Sequence, residues 1–325
     1  MKVCVAGLGA VGGLLAARLA LAGHEVSALA RGATLQAVRE RGLVLITNRG
    51  ERHVARIDAA ASAAELLPPE VLIVTFKGQA LAADAQQLAP LIDANTIALP
   101  MMNGVPWWFL QPDDPKPLAS VDPHGHIAAT VPLAQTLGAV VHLTCVGTAP
   151  GEVRHGFGER LIVGEPSGQP SERVERVADV LESAGFQAER SSDIRRDIWF
   201  KLWGNMTTNP VSALTGSACD AILDDELVSA FMARGMAEAA AIGARIGCPI
   251  EQTPAARMAV TRQLGAFKTS MLVDAEQGRA LELDALVGAV REIGARVGVD
   301  TPNIDALHGL ARLMDRTNRI RRATN

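Results

Sequence analysis

A chain of 325 residues with 48% hydrophobic and 20% charged content can bury a sizeable core and is long enough for two domains. Its net charge of -4 leaves no basic footprint, which excludes nucleic acid and anionic membrane surfaces as expected partners. No window reaches eighteen apolar residues without a charge and the start lacks signal-peptide order, so a cytoplasmic location is expected.

The chain opens Met1-Lys-Val-Cys-Val-Ala-Gly7-Leu8-Gly9-Ala10-Val11-Gly12, an apolar strand running into G-x-G-x-x-G and then the helical stretch from Leu14 to Ala22. The three glycines serve three ends, namely a tight turn, close approach of backbone to a pyrophosphate, and close packing of helix on strand. A dinucleotide is implied, held by Gly7, Leu8, Gly9, Ala10, Val11 and Gly12, with the helix amides facing the phosphates. The second strand, Glu25–Ala30, ends in Arg31 where an NAD site would carry a carboxylate. A guanidinium there suits a 2′-phosphate, which favours NADP, the alternative being a solvated loop arginine. Lys77, just past the strand Val71–Phe76, is a second candidate cofactor contact or a merely exposed strand-end lysine.

Further strands are expected at Thr96–Leu99, Gly138–Val146, Arg160–Val163 and Phe186–Glu189, alternating with helical patterns. The run Leu110–Thr136, rich in Pro and Asp, is expected to be a surface excursion. Ala149-Pro-Gly151 reads as a turn between antiparallel strands. After Ser191 strands give way to helices at Ile194–Thr208, Asp225–Ile246, Pro254–Gly265, Arg279–Val297 and Pro302–Met314. The expected fold class is α/β: an N-terminal Rossmann-type doubly wound sheet over residues 1–190 and an all-helical C-terminal domain over 191–325. Substrate is expected in the cleft at the sheet's carboxyl edge.

Four single cysteines without C-x-x-C spacing, and seven dispersed histidines of which only His124 and His126 are close, disfavour a metal site. The absence of tyrosine removes a phenol as proton donor. Of 31 basic residues only Lys2, Lys77, Lys116, Lys201 and Lys268 are lysines. Lys201 lies among large apolar side chains in Ile198-Trp-Phe-Lys201-Leu-Trp-Gly-Asn205, where desolvation would turn it into a usable acid. Asn205 and Asn209 continue its helical stripe to a helix end expected at Pro210. A snorkelling lysine with capping asparagines is the bland alternative. Ser270 could hydrogen-bond a substrate carboxylate and Glu282 could hold cofactor or substrate hydroxyl, although from spacing alone such residues are more often capping and surface residues.

The order of these pieces, with Asn103-Gly104 after the fourth strand, Gly278-Arg279, Glu282-x-Asp284 and Thr301-Pro302-x-x-Asp305, resembles the ketopantoate reductase family, the NADP-dependent 2-dehydropantoate 2-reductases. The resemblance implies Lys201 as general acid with Glu282 beside it as a catalytic and cofactor-contacting residue. It implies Asn103 bridging nicotinamide ribose and substrate, and Asn205, Asn209 and Ser270 holding the substrate. It implies NADP(H), a small 2-keto acid as partner, and reduction of ketopantoate to pantoate on the way to pantothenate; a homodimer is a candidate assembly that the residues do not decide. Thr215–Asp220 lacks an asparagine that better-known members carry there, and Leu281-Glu-Leu-Asp284 stands in place of Thr-Glu-Ile-Asp. With Pro106–Phe109 and the 110–136 run, these departures point to a divergent branch. Reduction of a different branched 2-keto acid, or a non-catalytic NADP sensor, are the competing readings.

Overall fold

Four buried residues after Lys2 make β1 (Lys2–Ala6) a strand covered on both faces, and the glycines that follow turn the chain into α1 (Ala10–Leu21). The computed structural model describes residues 1–323. The chain continues through β2 (Glu25–Leu29), α2 (Gly32–Arg41), β3 (Leu43–Ile46), β4 (Arg52–Ala55), β5 (Asp58–Ala60), β6 (Val71–Val74), α3 (Gly78–Asp84) and β7 (Ile97–Pro100). β5, β2, β1, β6 and β7 lie side by side in that order, every neighbouring pair parallel. This is Rossmann-type order: the winding reverses between β1 and β6, and the glycine turn leaves the carboxyl end of β1 at that switch point.

After α4 (His126–Thr130) come β8 (Gly138–His142), β9 (Cys145–Ala149), β10 (Glu152–His155), β11 (Arg160–Gly164), α5 (Glu172–Ser183) and β12 (Gln187–Arg190). β4, β3, β10 and β9 form a second sheet, which covers the face of α1 turned away from the first. A Cβ on Gly13 would rest 3.6 Å from Val153 on β10. Burial from both sides explains why Gly12 to Ala17 on α1 are all buried rather than striped. β12, β11 and β8 make a third sheet, tied to β7 where the Leu137 amide donates to the Ala98 carbonyl at 2.9 Å.

The chain divides into two compact units, one of residues 1–102, 106–117 and 122–197, the other of residues 103–105, 118–121 and the chain from Ile198 onward. α6 (Ile194–Thr215) leads into the second unit, which continues with α7 (Cys219–Asp224), α8 (Glu226–Arg245), α9 (Pro254–Arg262), α10 (Ser270–Glu276), a π-helical segment at Asp284–Gly288, α11 (Ala289–Val297) and α12 (Pro302–Ala323). Asp225 caps α8 by accepting from the Leu227 and Val228 amides, and Glu238 on α8 accepts from the Asn303 and Ile304 amides at the start of α12. α8 is long and apolar enough to cross a membrane by length and composition. Its buried residues Met232, Gly235, Met236, Ala239, Ile242 and Gly243 nevertheless keep to one face, the pattern of a core helix.

Several elements differ from the sequence reading. Helix α6 runs through Pro210 to Thr215. Proline removes one amide, but Thr208 donates to the Gly204 carbonyl and Thr215 to the Val211 carbonyl, while buried Val211 and Ala213 hold the second half in place. The single strand expected at Gly138–Val146 is two strands in different sheets. The 110–136 run is no surface excursion: Leu110, Leu118, Val121, Ile127 and Val131 are buried, and buried Asp122 accepts from the Ile127 and Ala128 amides to start α4. β3, β4 and β5 have no counterpart among the expected strands, because they are short and β4 is mostly exposed.

Candidate active site

In the first unit the turn Gly7–Gly12 depends on missing side chains. Gly7 takes φ +103°, and a Cβ there would stand 2.9 Å from the Phe76 ring. At Gly12 a Cβ would stand 1.9 Å from the Gly7 carbonyl oxygen, so no other residue lets α1 start this close to β1. Nothing lies within 4 Å of the corresponding position at Gly9, which leaves the backbone open in front of the turn. α1 has no side-chain cap, so its first amides, those of Ala10, Val11 and Gly12, are available to an anion. These features fit a dinucleotide pyrophosphate. Sequence reasoning missed Thr75, whose hydroxyl donates to the Gly7 carbonyl at 2.6 Å and braces the turn from β6's end.

Arg31 is the N-cap residue of α2, directly after β2. Its guanidinium is exposed and donates to Asp84 Oδ2 at 3.0 Å and Gln87 Oε1 at 2.5 Å. An exposed pair of this kind is worth at most about 1 kcal/mol, so Asp84 can yield Arg31 to a phosphate at little cost. Lys77 is the N-cap of α3 and half-buried.

In the second unit α6 presents two faces. Trp199 and Trp203, one turn apart, point at α8, where their indole N–H groups donate to the Ala239 carbonyl at 3.3 Å and the Met236 carbonyl at 2.7 Å. Gly243 admits Trp199: a Cβ there would lie 2.4 Å from its indole nitrogen. Anchored by these indoles, α6 carries Lys201 and Asn205 on a different face. Lys201 Nζ donates to Asn103 Oδ1 at 3.0 Å. Burial pushes the Lys201 ammonium down from 10.5 to about 8, opposed by the Glu282 carboxylate, which favours the charged form.

Asn103 is positioned by the residue after it. Gly104, at φ +88°, lies so close to the π-helical segment that a Cβ would meet the Ala285 backbone at 2.6 Å, and the Val105 amide donates to the Ala285 carbonyl at 2.9 Å. Glu282 lies just before that segment, separated from it only by Leu283. The wide π turn therefore fixes Asn103 and Glu282 around one lysine, a juxtaposition for which the sequence carries no period. Asn205 is half-buried and Asn209 buried, one and two turns beyond Lys201. Ser270 is exposed in the first turn of α10, and that helix is capped by Thr269, which accepts from the Leu272 amide.

Fold and lysine together define a class, the nicotinamide-dependent oxidoreductases. Residues 3–168 match the family model described as Ketopantoate reductase PanE/ApbA, and residues 193–315 match Ketopantoate reductase PanE/ApbA C terminal. The chain belongs to the ketopantoate reductase family, whose members reduce ketopantoate to pantoate with NADPH. It is 43% identical over 317 residues to a 2-dehydropantoate 2-reductase from Mesorhizobium japonicum, covering 96% of this chain and 97% of that one. Among solved structures it resembles a candidate ketopantoate reductase from Ralstonia solanacearum MolK2, with 57% identity, a TM-score of 0.93 and coverage of 97% and 98%. A 2-dehydropantoate 2-reductase from Methylococcus capsulatus is 27% identical with a TM-score of 0.84, covering 98% of each chain.

Proposed function

We propose that this protein reduces 2-dehydropantoate to pantoate with NADPH, in the cytoplasm and as a homodimer, residues 1–190 binding cofactor and 191–325 supplying the substrate groups. The observation that carries the reading is Lys201 Nζ donating to Asn103 Oδ1 at 3.0 Å while burial brings its acidity close to neutrality. When bound at the glycine turn, the nicotinamide cofactor supplies the hydride for the carbonyl carbon. Lys201 donates a proton from Nζ to the keto oxygen, becoming neutral as the C=O becomes CH–OH, and regains a proton from water. Asn103 accepts one Nζ hydrogen and so aims another at the substrate. Glu282 keeps the ammonium charged until it is needed. Asn205, Asn209 and Ser270 hold the substrate's hydroxyl and carboxylate ends. Arg31 would hold the 2′-phosphate of NADPH and Lys77 a phosphate or the ribose.

The four free cysteines support the cytoplasmic reading. Leu310 and Leu313, exposed one turn apart on α12, support an interface between copies, which light scattering tests. The substrate is tested by NADPH oxidation across a panel of branched 2-keto acids. The reading expects 2-dehydropantoate to give the highest kcat/KM, and a higher value for another acid replaces the substrate while keeping the reaction.

A further inference from the structure

Arg257 on α9 is a half-buried cation for which the reaction above has no role. Its Nε is fully buried and has no hydrogen-bond partner among the described residues. The guanidinium lies over the Phe200 ring, Cζ 5.2 Å from the centroid. It also presses against Gly204, where a Cβ would stand 2.8 Å from Nε and 3.1 Å from Nη2. Phe200 precedes Lys201, and Gly204 lies between Lys201 and Asn205 along α6. Three residues on a helix is close to one turn, so the guanidinium borders the face that carries the lysine and the asparagine. Gly204 is the residue that leaves it room.

Burial lowers the Arg257 pKa, yet an arginine stays charged, and a desolvated charge without a counter-ion is costly until an anion arrives. A 2-keto acid brings one: a planar carboxylate adjacent to the keto group that Lys201 protonates, matched to the guanidinium fork. α7 packs on α9, with Arg262 paired to Asp224 at 2.8 Å. We propose that Arg257 is a substrate-binding residue that holds the carboxylate of the 2-keto acid, an inference that rests on the reductase reading above.

The test compares 2-dehydropantoate with its uncharged methyl ester at saturating NADPH, in wild type, Arg257→Gln and Arg257→Lys. Wild type is expected to prefer the acid. In Arg257→Gln the KM for the acid rises about 100-fold with a much smaller change in kcat, while the KM values for ester and NADPH stay within about twofold. Arg257→Lys, which keeps charge without the fork, raises the acid KM about tenfold and carries the test alone if the glutamine variant fails to fold. Equal losses for acid and ester show a structural role only and overturn the proposal. An active wild type whose preference for the acid survives in both variants overturns it too. A wild type inactive on both substrates overturns the reductase reading with it.

Discussion

At its ordinary pKa of 10.5, Lys201 would hold its proton too tightly to release it to a carbonyl oxygen at neutral pH; at about 8 it is a usable acid. The sign of the consequence is fixed. Under the proposed mechanism reduction needs the Lys201 ammonium, so kcat/KM is expected to be flat below pH 8 and to fall tenfold per unit above it; a pH profile with no break before 10 contradicts the assignment. Stability runs the other way. Below the folded value of about 8 both folded and unfolded chains are protonated and the buried charge costs its full amount, a cost that fades as pH rises toward 10.5. Lys201→Met is therefore expected to unfold at higher urea than wild type at pH 7, with the gain shrinking by pH 10. Equal midpoints at pH 7 would mean that the lysine is not desolvated. For Arg31→Ala the expected change is a rise of about tenfold in KM for NADPH with NADH little affected, and equal weakening of both refutes contact with a 2′-phosphate.

Single elements acquire function by being held where propensity would not put them. The π-helical segment Asp284–Gly288 receives Gly104 at φ +88° and thereby fixes Asn103 against Lys201. Gly104→Ala adds a methyl 2.6 Å from the Ala285 backbone in a strained conformation. It is expected to destabilise by about 1–3 kcal/mol and to lower kcat more than it changes KM for NADPH. Urea unfolding and steady-state kinetics check both halves, and unchanged kcat would separate Asn103 from the chemistry. The indole anchors on α6 are legible in sequence as large apolar neighbours of a lysine. The contact of α9 with α6 is not, because Arg257 and Gly204 are brought together only by tertiary packing. Pro210 misleads for a related reason: a proline ends a helix in isolation, whereas buried side chains on both sides carry α6 through.

Over the whole molecule, the parallel sheet is readable because its central strands are apolar runs bounded by glycine turns, and the helical second unit because its helices carry caps such as Asp225. In the second sheet the β9–β10 hairpin is legible in the turn Ala149–Gly151, whereas β3 and β4 are not, since they are short, β4 is mostly exposed, and β3 pairs with β10 across more than a hundred residues. Asn103, Glu282 and Lys201 can be assembled from sequence only through family resemblance; the structure places them together in one unit. Lys201 is proposed as the proton donor in the keto-acid reduction. The most direct test of this role is kcat/KM for 2-dehydropantoate with saturating NADPH in wild type and Lys201→Ala, with NADPH affinity measured alongside. A loss of about 1,000-fold or more with NADPH binding intact is the predicted result; a loss below about tenfold would contradict it.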